Sequence, residues 1–229
     1  MDRSAETSRE VLAEVKAVGR RTRAARPHNW VALAVLAVVV VAAMPLYIQR
    51  PFGAQWSGSS QLSRLSGFGQ LEHPTAAAAY WLVVLPVAYA VIAVYLVRRG
   101  SSSGVRVRAS YVTVCGLVLF LVLVAVVVVV PQLQLPLGNL TIRGLTPLLA
   151  IAVGVMVWGV LGRDLTILGI GALALVVSLV ANLYNVENMI LAQGVDFDYR
   201  YNLLLNLALP ALVLSIGAVV VAVRDRGPR

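Results

Sequence analysis

The side chains best placed for selective chemistry are four asparagines, Asn182, Asn185, Asn202 and Asn206, each next to or inside an apolar run. Asn182 and Asn185 stand three apart and Asn202 and Asn206 four apart, so each pair shares a face if the backbone is helical. An amide in apolar surroundings needs a partner inside the protein. The two pairs are therefore expected to bond across their helices, Asn182 to Asn206, or to hold a polar ligand. Carboxylates crowd the same stretch, with Glu187 soon after Asn185, and Asp196 and Asp198 just before Arg200. A D-x-D pair can hold a divalent ion. The strict alternation of polar residues with Phe197, Tyr199 and Tyr201 equally describes an aromatic belt at a membrane boundary, and no metal is assigned. Glu72 and His73 offer a second acid and base, close to Tyr80 and Trp81. Arg143 is the cation expected to neutralise Glu187, Asp196 or Asp198. An apolar wall favours the neutral acid, which makes Glu187, just beyond an apolar run, the best proton donor of the group.

The elements that must position these residues are apolar. Of 229 residues, 59% are hydrophobic and 13% charged, about half the charge of an ordinary soluble domain. Such a chain cannot cover a water-soluble globule, but it suits one whose outer wall faces lipid. The pattern predicts an all-α bundle of about six spans, near 29–49, 76–97, 110–130, 144–162, 165–183 and 203–223. The run Val126–Val130 would favour a strand in water; in lipid the backbone must bond within its own segment, so helix is expected. Residues 1–28 read as a basic tail with an amphipathic helix over 7–26, and 224–229 as a short C-terminal tail. Small-xxx-small pairs, Ala150 with Gly154 and Ala174 with Ser178, should let helices approach closely.

Charge sets the orientation. With those spans, fifteen of the nineteen Lys and Arg fall on one side, leaving Arg50, Arg64, Arg143 and Arg200 on the other. The positive-inside rule makes the basic side cytoplasmic and puts both termini there. Anionic headgroups of a cell membrane are a sufficient partner for the formal net charge of +9, and nucleic acid is not expected as one. Cys115 is the single cysteine, which excludes an intrachain disulfide. Lys16 is the only lysine and lies in the tail, which excludes a retinal Schiff base and a P-loop. His28 and His73 fall on opposite sides, so no bis-histidine haem fits in one chain, and no cofactor is expected.

The stretches TIRGLTPLLAIAVG (141–154) and SLVANLYNVEN (178–188) resemble a family of small actinobacterial membrane proteins of unassigned activity. The layout as a whole is similar to the permease subunits of type-2 ABC exporters: an amphipathic entry helix, six spans, inward termini and a polar outer loop between spans five and six. That likeness implies a transport-related subunit, permease-like or accessory, working as a homo-oligomer or with a separate ATPase. The short Gly/Ser-rich loop 98–108 departs from it, because those permeases place an ATPase-coupling helix there. A second reading is an enzyme acting on a hydrophobic isoprenoid or lipid, similar to integral-membrane terpene cyclases. Glu72, Glu187, Asp196 or Asp198 would be its catalytic acid. Asn182, Tyr184, Asn185, Asn202, Asn206, Arg143, Tyr80 and Trp81 would line the substrate site under either reading. A third is a structural or regulatory membrane protein with no substrate. The orientation is testable by cysteine-accessibility labelling in a background lacking Cys115. Positions in 55–65 and 190–198 should react from outside, and positions in 100–104 and 226–229 only after permeabilisation; the reverse pattern would sink the assignment.

Overall fold

The computed structural model describes residues 29–50, 71–102, 116, 145–184, 186–194 and 198–226. The expected amphipathic helix at 7–26, nearly all of the span at 110–130, Cys115 and Arg143 lie outside the described residues. Within them the chain is helical, with no strand beyond a single isolated bridge. Helix α1 covers Asn29–Ala43 and runs into a 3₁₀ turn, Met44–Tyr47; α2 covers Pro74–Ser102, α3 Thr146–Leu161, α4 Leu165–Leu183, α5 Val186–Leu191 and α6 Asn202–Arg226. Four segments are long and apolar enough to cross a membrane: Asn29–Tyr47, Pro74–Arg98, Leu165–Leu183 and Tyr199–Arg226. Helix α3, at 16 residues, is about 24 Å long and falls short of a hydrocarbon layer of about 30 Å.

The helices pack in a row, α2 on α1, α1 on α6, α6 on α4 and α4 on α3. Because α6 has a neighbour on each side, it buries a broad strip that includes Leu203, Leu207, Ala211, Leu214, Ala218 and Val221. The outward faces stay apolar. Along α2, Val83, Val87, Val91 and Val94 are each more than half exposed and recur at the three- and four-residue spacing of one helix face. In water such a stripe would be an aggregation site; against lipid tails it needs no cover.

Helix rotation and register are set where backbones come closest. A Cβ built on Gly159 would lie 2.5 Å from the Leu168 nitrogen, and one on Gly171 would lie 2.7 Å from the Met156 nitrogen. Only glycine lets α3 and α4 meet that closely, as small residues do in membrane bundles generally. Of the small residues expected to serve this purpose, Ala150, Ala174 and Ser178 are buried and Gly154 is half-buried; the tightest approach is made by Gly159 and Gly171. Gly217 of α6 takes the side chain of Ile170 in the same way, and Gly116 the ring of Tyr89. The chain turns from α3 into α4 through Gly162-Arg163-Asp164, with Arg163 at φ 50°, a left-handed conformation costly for a side-chain-bearing residue.

The two ends of the row are fastened differently. At the end holding Tyr47, the Trp81 indole N–H donates to the fully buried Tyr47 hydroxyl at 2.8 Å, and Tyr80 donates to the Val39 carbonyl at 2.7 Å. The backbone N–H of Glu72 donates to Ile48 and that of Gln49 to Arg200, both at 2.9 Å. The starts of α2 and α6 are thereby tied to the exit of α1. At the other end Asp164 meets Arg224.

Helix packing predicts a sharp contrast between glycines. Gly159→Ala should destabilise the fold by about 1–3 kcal/mol, the range for overpacking a tight contact. Gly169→Ala, whose Cβ would meet nothing within 4 Å, should be neutral or stabilising by up to about 1 kcal/mol. Unfolding by SDS in mixed micelles would measure both; equal losses would mean that α3 and α4 do not meet at Gly159.

Candidate functional site

Five polar side chains are buried among the described residues: Gln49, Thr146, Ser178, Asn182 and Asn206. Four of them form a layer. The antiparallel contacts of Gly159 with Leu168 and Gly171 with Met156 put Asn182 level with Leu145 and Thr146, and Ser178 level with Leu149. The contact of Gly217 with Ile170 puts Asn206 at the depth of Ala181 and Asn182. The layer thus joins the start of α3, the last turns of α4 and the first turns of α6, towards the Tyr47 end. Proline shapes it on two sides. Pro147 sits in the first turn of α3, where a missing N–H costs nothing. Pro210 of α6 cannot supply the N–H that the Asn206 carbonyl would receive in an unbroken helix.

The asparagines do not bond to each other as their spacing led one to expect. Asn182 Nδ2 donates to the Ser178 carbonyl of its own helix at 2.8 Å, and Asn206 Oδ1 accepts the N–H of Val186, the first residue of α5, at 2.9 Å. The physical reason is rotation. Ser178 and Asn182 lie seven and eleven residues beyond Gly171, close to whole turns of the helix. They therefore share the face that Gly171 turns to α3, while α6 meets the face carrying Ile170. Two oxygens of the layer, Ser178 Oγ and Asn182 Oδ1, are buried with no hydrogen-bond partner among the described residues. Gln49 Oε1, beside the α1 exit, is in the same condition.

The other expected site residues are dispersed. Tyr184 is exposed and Asn202 half-buried. Glu187 is the second residue of α5, and Asn185 and Asp196 lie outside the described residues. Glu72 faces Arg200 across 3.6 Å, both side chains nearly half exposed, where an ion pair contributes about 0–1 kcal/mol. Asp198 is exposed and accepts the Arg200 backbone N–H at 3.0 Å. Tyr80 and Trp81 stack edge to face with centroids 5.3 Å apart and fasten α2 to α1, on the far side of α6 from Ser178 and Asn182. Among the described residues no group of three His, Cys, Asp or Glu could hold a metal.

One constellation has no counterpart in the expectations above. Arg224 Nη1 and Nη2 donate to Asp164 Oδ1 and Oδ2 at 2.7 and 2.6 Å, a two-pronged pair whose side chains are about one-fifth exposed. Asp164 Oδ1 also accepts the N–H groups of Thr166 and Ile167, which caps α4. The Arg224 hydrogen bonds hold the Asp164 carboxyl below the ordinary carboxylate range. An Asp directly before an apolar run is a helix-start signal and Arg224 a helix-end signal, so each was visible alone; their meeting across 60 residues was not.

No protein-family model matches the chain, and no curated protein and no solved structure is similar to it. Its own helices define the class. It is an α-helical, membrane-embedded protein, with four helices among the described residues long and apolar enough to cross and a shorter apolar one, α3, packed beside them.

The Asp164–Arg224 pair yields a pH prediction. A carboxyl depressed in the fold stabilises fully above its unfolded pKa, near 4, and loses that contribution as pH falls through the folded value. Asp164→Asn should cost about 1.5–3 kcal/mol at neutral pH, as for a hydrogen bond to a charged group. It should also flatten the loss of stability that the wild type shows below about pH 4. SDS unfolding between pH 3 and 7 would test this; an unchanged acid limb in the variant would mean that the pair does not form.

Proposed function

We propose that the protein is a permease-like, transport-related subunit of the cell membrane, with six spans and both termini cytoplasmic. What carries the reading is the buried, uncharged polar layer of Thr146, Ser178, Asn182 and Asn206 in a largely apolar bundle, with two of its oxygens lacking a hydrogen-bond partner among the described residues. A purely structural bundle gains nothing by burying acceptors it does not use; a polar group inside a membrane bundle that is not helix-to-helix glue marks a site for ligand or water.

The sixth span rests on the apolar run 110–130 of the sequence, and the close fit of helical Gly116 to Tyr89, near the middle of α2, supports it. Charge supports the orientation. The Asp164 end carries Arg98, Arg99, Arg163, Arg224 and Arg226 against two aspartates, and the Tyr47 end Arg50 and Arg200 against Glu72, Glu187 and Asp198. The enzyme reading draws less support, because Glu72 and Asp198 are exposed and engaged with Arg200.

Reconstitution into proteoliposomes tests the function. After an osmotic step with glycerol, erythritol, urea or potassium chloride, at least one neutral solute should enter faster than into protein-free vesicles, and potassium should not. Rates equal to those of empty vesicles for every solute would defeat the permease reading in favour of an accessory or structural protein.

A further inference from the structure

The two unpartnered oxygens of the polar layer constrain what it takes. Ser178 and Asn182 are four residues apart on one face of α4, each about 99% buried. Asn182 gives one of its two amide N–H groups to the Ser178 carbonyl, and its Oδ1 can only accept. A serine in an apolar helix ordinarily hides its hydroxyl by donating to the carbonyl four residues back. Ser215 on the exposed face of α6 does so, to Ala211 at 2.8 Å. Ser178 does not, although it is far more deeply buried and has more to gain. Its hydroxyl and the Asn182 oxygen are both left without a partner among the described residues, over the first turn of α3, from Leu145 to Leu149, where no side chain caps that helix.

A ligand that satisfies both atoms must donate a hydrogen bond to Asn182 Oδ1 and either donate to or accept from Ser178 Oγ. An anion is disfavoured at these two atoms, since the Asn182 oxygen would meet it with a lone pair rather than a hydrogen. A cation is disfavoured, because none of Thr146, Ser178, Asn182 and Asn206 is a carboxylate and a bare charge in an apolar bundle costs several kcal/mol or more. An apolar molecule would leave both oxygens as they are. What remains is a neutral group that both donates and accepts.

We propose that Ser178 Oγ and Asn182 Oδ1 seat a neutral hydroxyl, that of a water molecule or of a small polyol, between α4 and the start of α3. The hydroxyl gives its hydrogen to Asn182 and takes one from Ser178. Its identification as cargo rests on the permease reading above; the seat itself does not.

Proteoliposomes bearing the full-length protein separate the two sources, with water followed by osmotic shrinkage in sucrose and glycerol by reswelling. Ser178→Ala and Asn182→Leu each remove one partner of the hydroxyl and should slow the flux about fivefold, the equivalent of one ordinary hydrogen bond. A fall in glycerol flux alone assigns a polyol, and a fall in water flux assigns water. Ser178→Ala removes a single oxygen and keeps the test open should Asn182→Leu fail to insert. Wild-type flux that both variants keep in full overturns the seat and leaves the permease reading standing. Absence of any wild-type flux overturns the permease reading, and the seat is then decided by an experimental map of the protein in a lipid nanodisc. An ordered oxygen within about 3.2 Å of both atoms supports it, and empty density overturns it.

Discussion

Inside a bilayer a polar group that finds no partner in its own protein finds none at all, and this one constraint organises the molecule. It makes every long apolar run among the described residues helical, so that main-chain groups are consumed within each segment. It then presses on the groups a helix cannot consume. Asp164 takes the first N–H groups of α4, Asn206 takes the first N–H of α5, and Ser215 turns its hydroxyl back on its own helix. At the exit of α1 the main chain is no longer helical, and there Gln49, Glu72, Ile48 and Arg200 exchange backbone hydrogen bonds. Ser178 Oγ and Asn182 Oδ1 are exceptions to that pairing, as are Asn29 Oδ1 and Gln49 Oε1 at the two ends of the first span, each buried with no hydrogen-bond partner among the described residues.

Helix α6 is where the remaining order is concentrated. It lies between α1 and α4, and its first turns receive α5 through Asn206. Arg200, two residues before its 25-residue helix, is held by Gln49 at one end, and Arg224 is held by Asp164 at the other. A helix fixed at both ends has little freedom to rotate, so the depth of Asn206 is set by contacts tens of residues away in sequence. The Arg224 guanidinium suits its place better than a lysine would, since its planar fork answers both carboxylate oxygens of Asp164 at once.

Much of this was legible in the sequence, and the part that was not has a common cause. Hydropathy and the deficit of charge announce a helical membrane protein, and an asparagine flanked by apolar residues announces burial, as Asn182 and Asn206 show. Partner choice is another matter. Whether Asn182 turns to Asn206 or to the other flank depends on the rotation of α4, and that rotation is set by Gly159 and Gly171 meeting α3 more closely than any other residue would permit. Gln49 escaped notice because it adjoins Arg50 and reads as the start of a solvated loop, whereas the main-chain bonds around it bury it. Asp164 and Arg224 each carry a local signal, but nothing local says that they lie at the same depth.

The same contacts decide where the protein can move. Below Ser178 the face of α4 that meets α3 continues through Ala174, Gly171 and Ile167, all apolar and buried, and at Gly171 the two backbones leave no room even for a methyl group. A solute seated at Ser178 and Asn182 therefore cannot pass on towards the Asp164 end along the α3–α4 seam, which is shut by main-chain contact. The seam between α4 and α6 is of a different kind. There Gly217 rests on the flexible end of the Ile170 side chain, which can yield. What holds that seam at its far end is the Asp164–Arg224 pair, one member on the turn before α4 and the other in the last turn of α6. If the bundle opens to let cargo through, α3 and α4 have to move together as one unit against α6, and the ion pair is the tie that must part for them to do so.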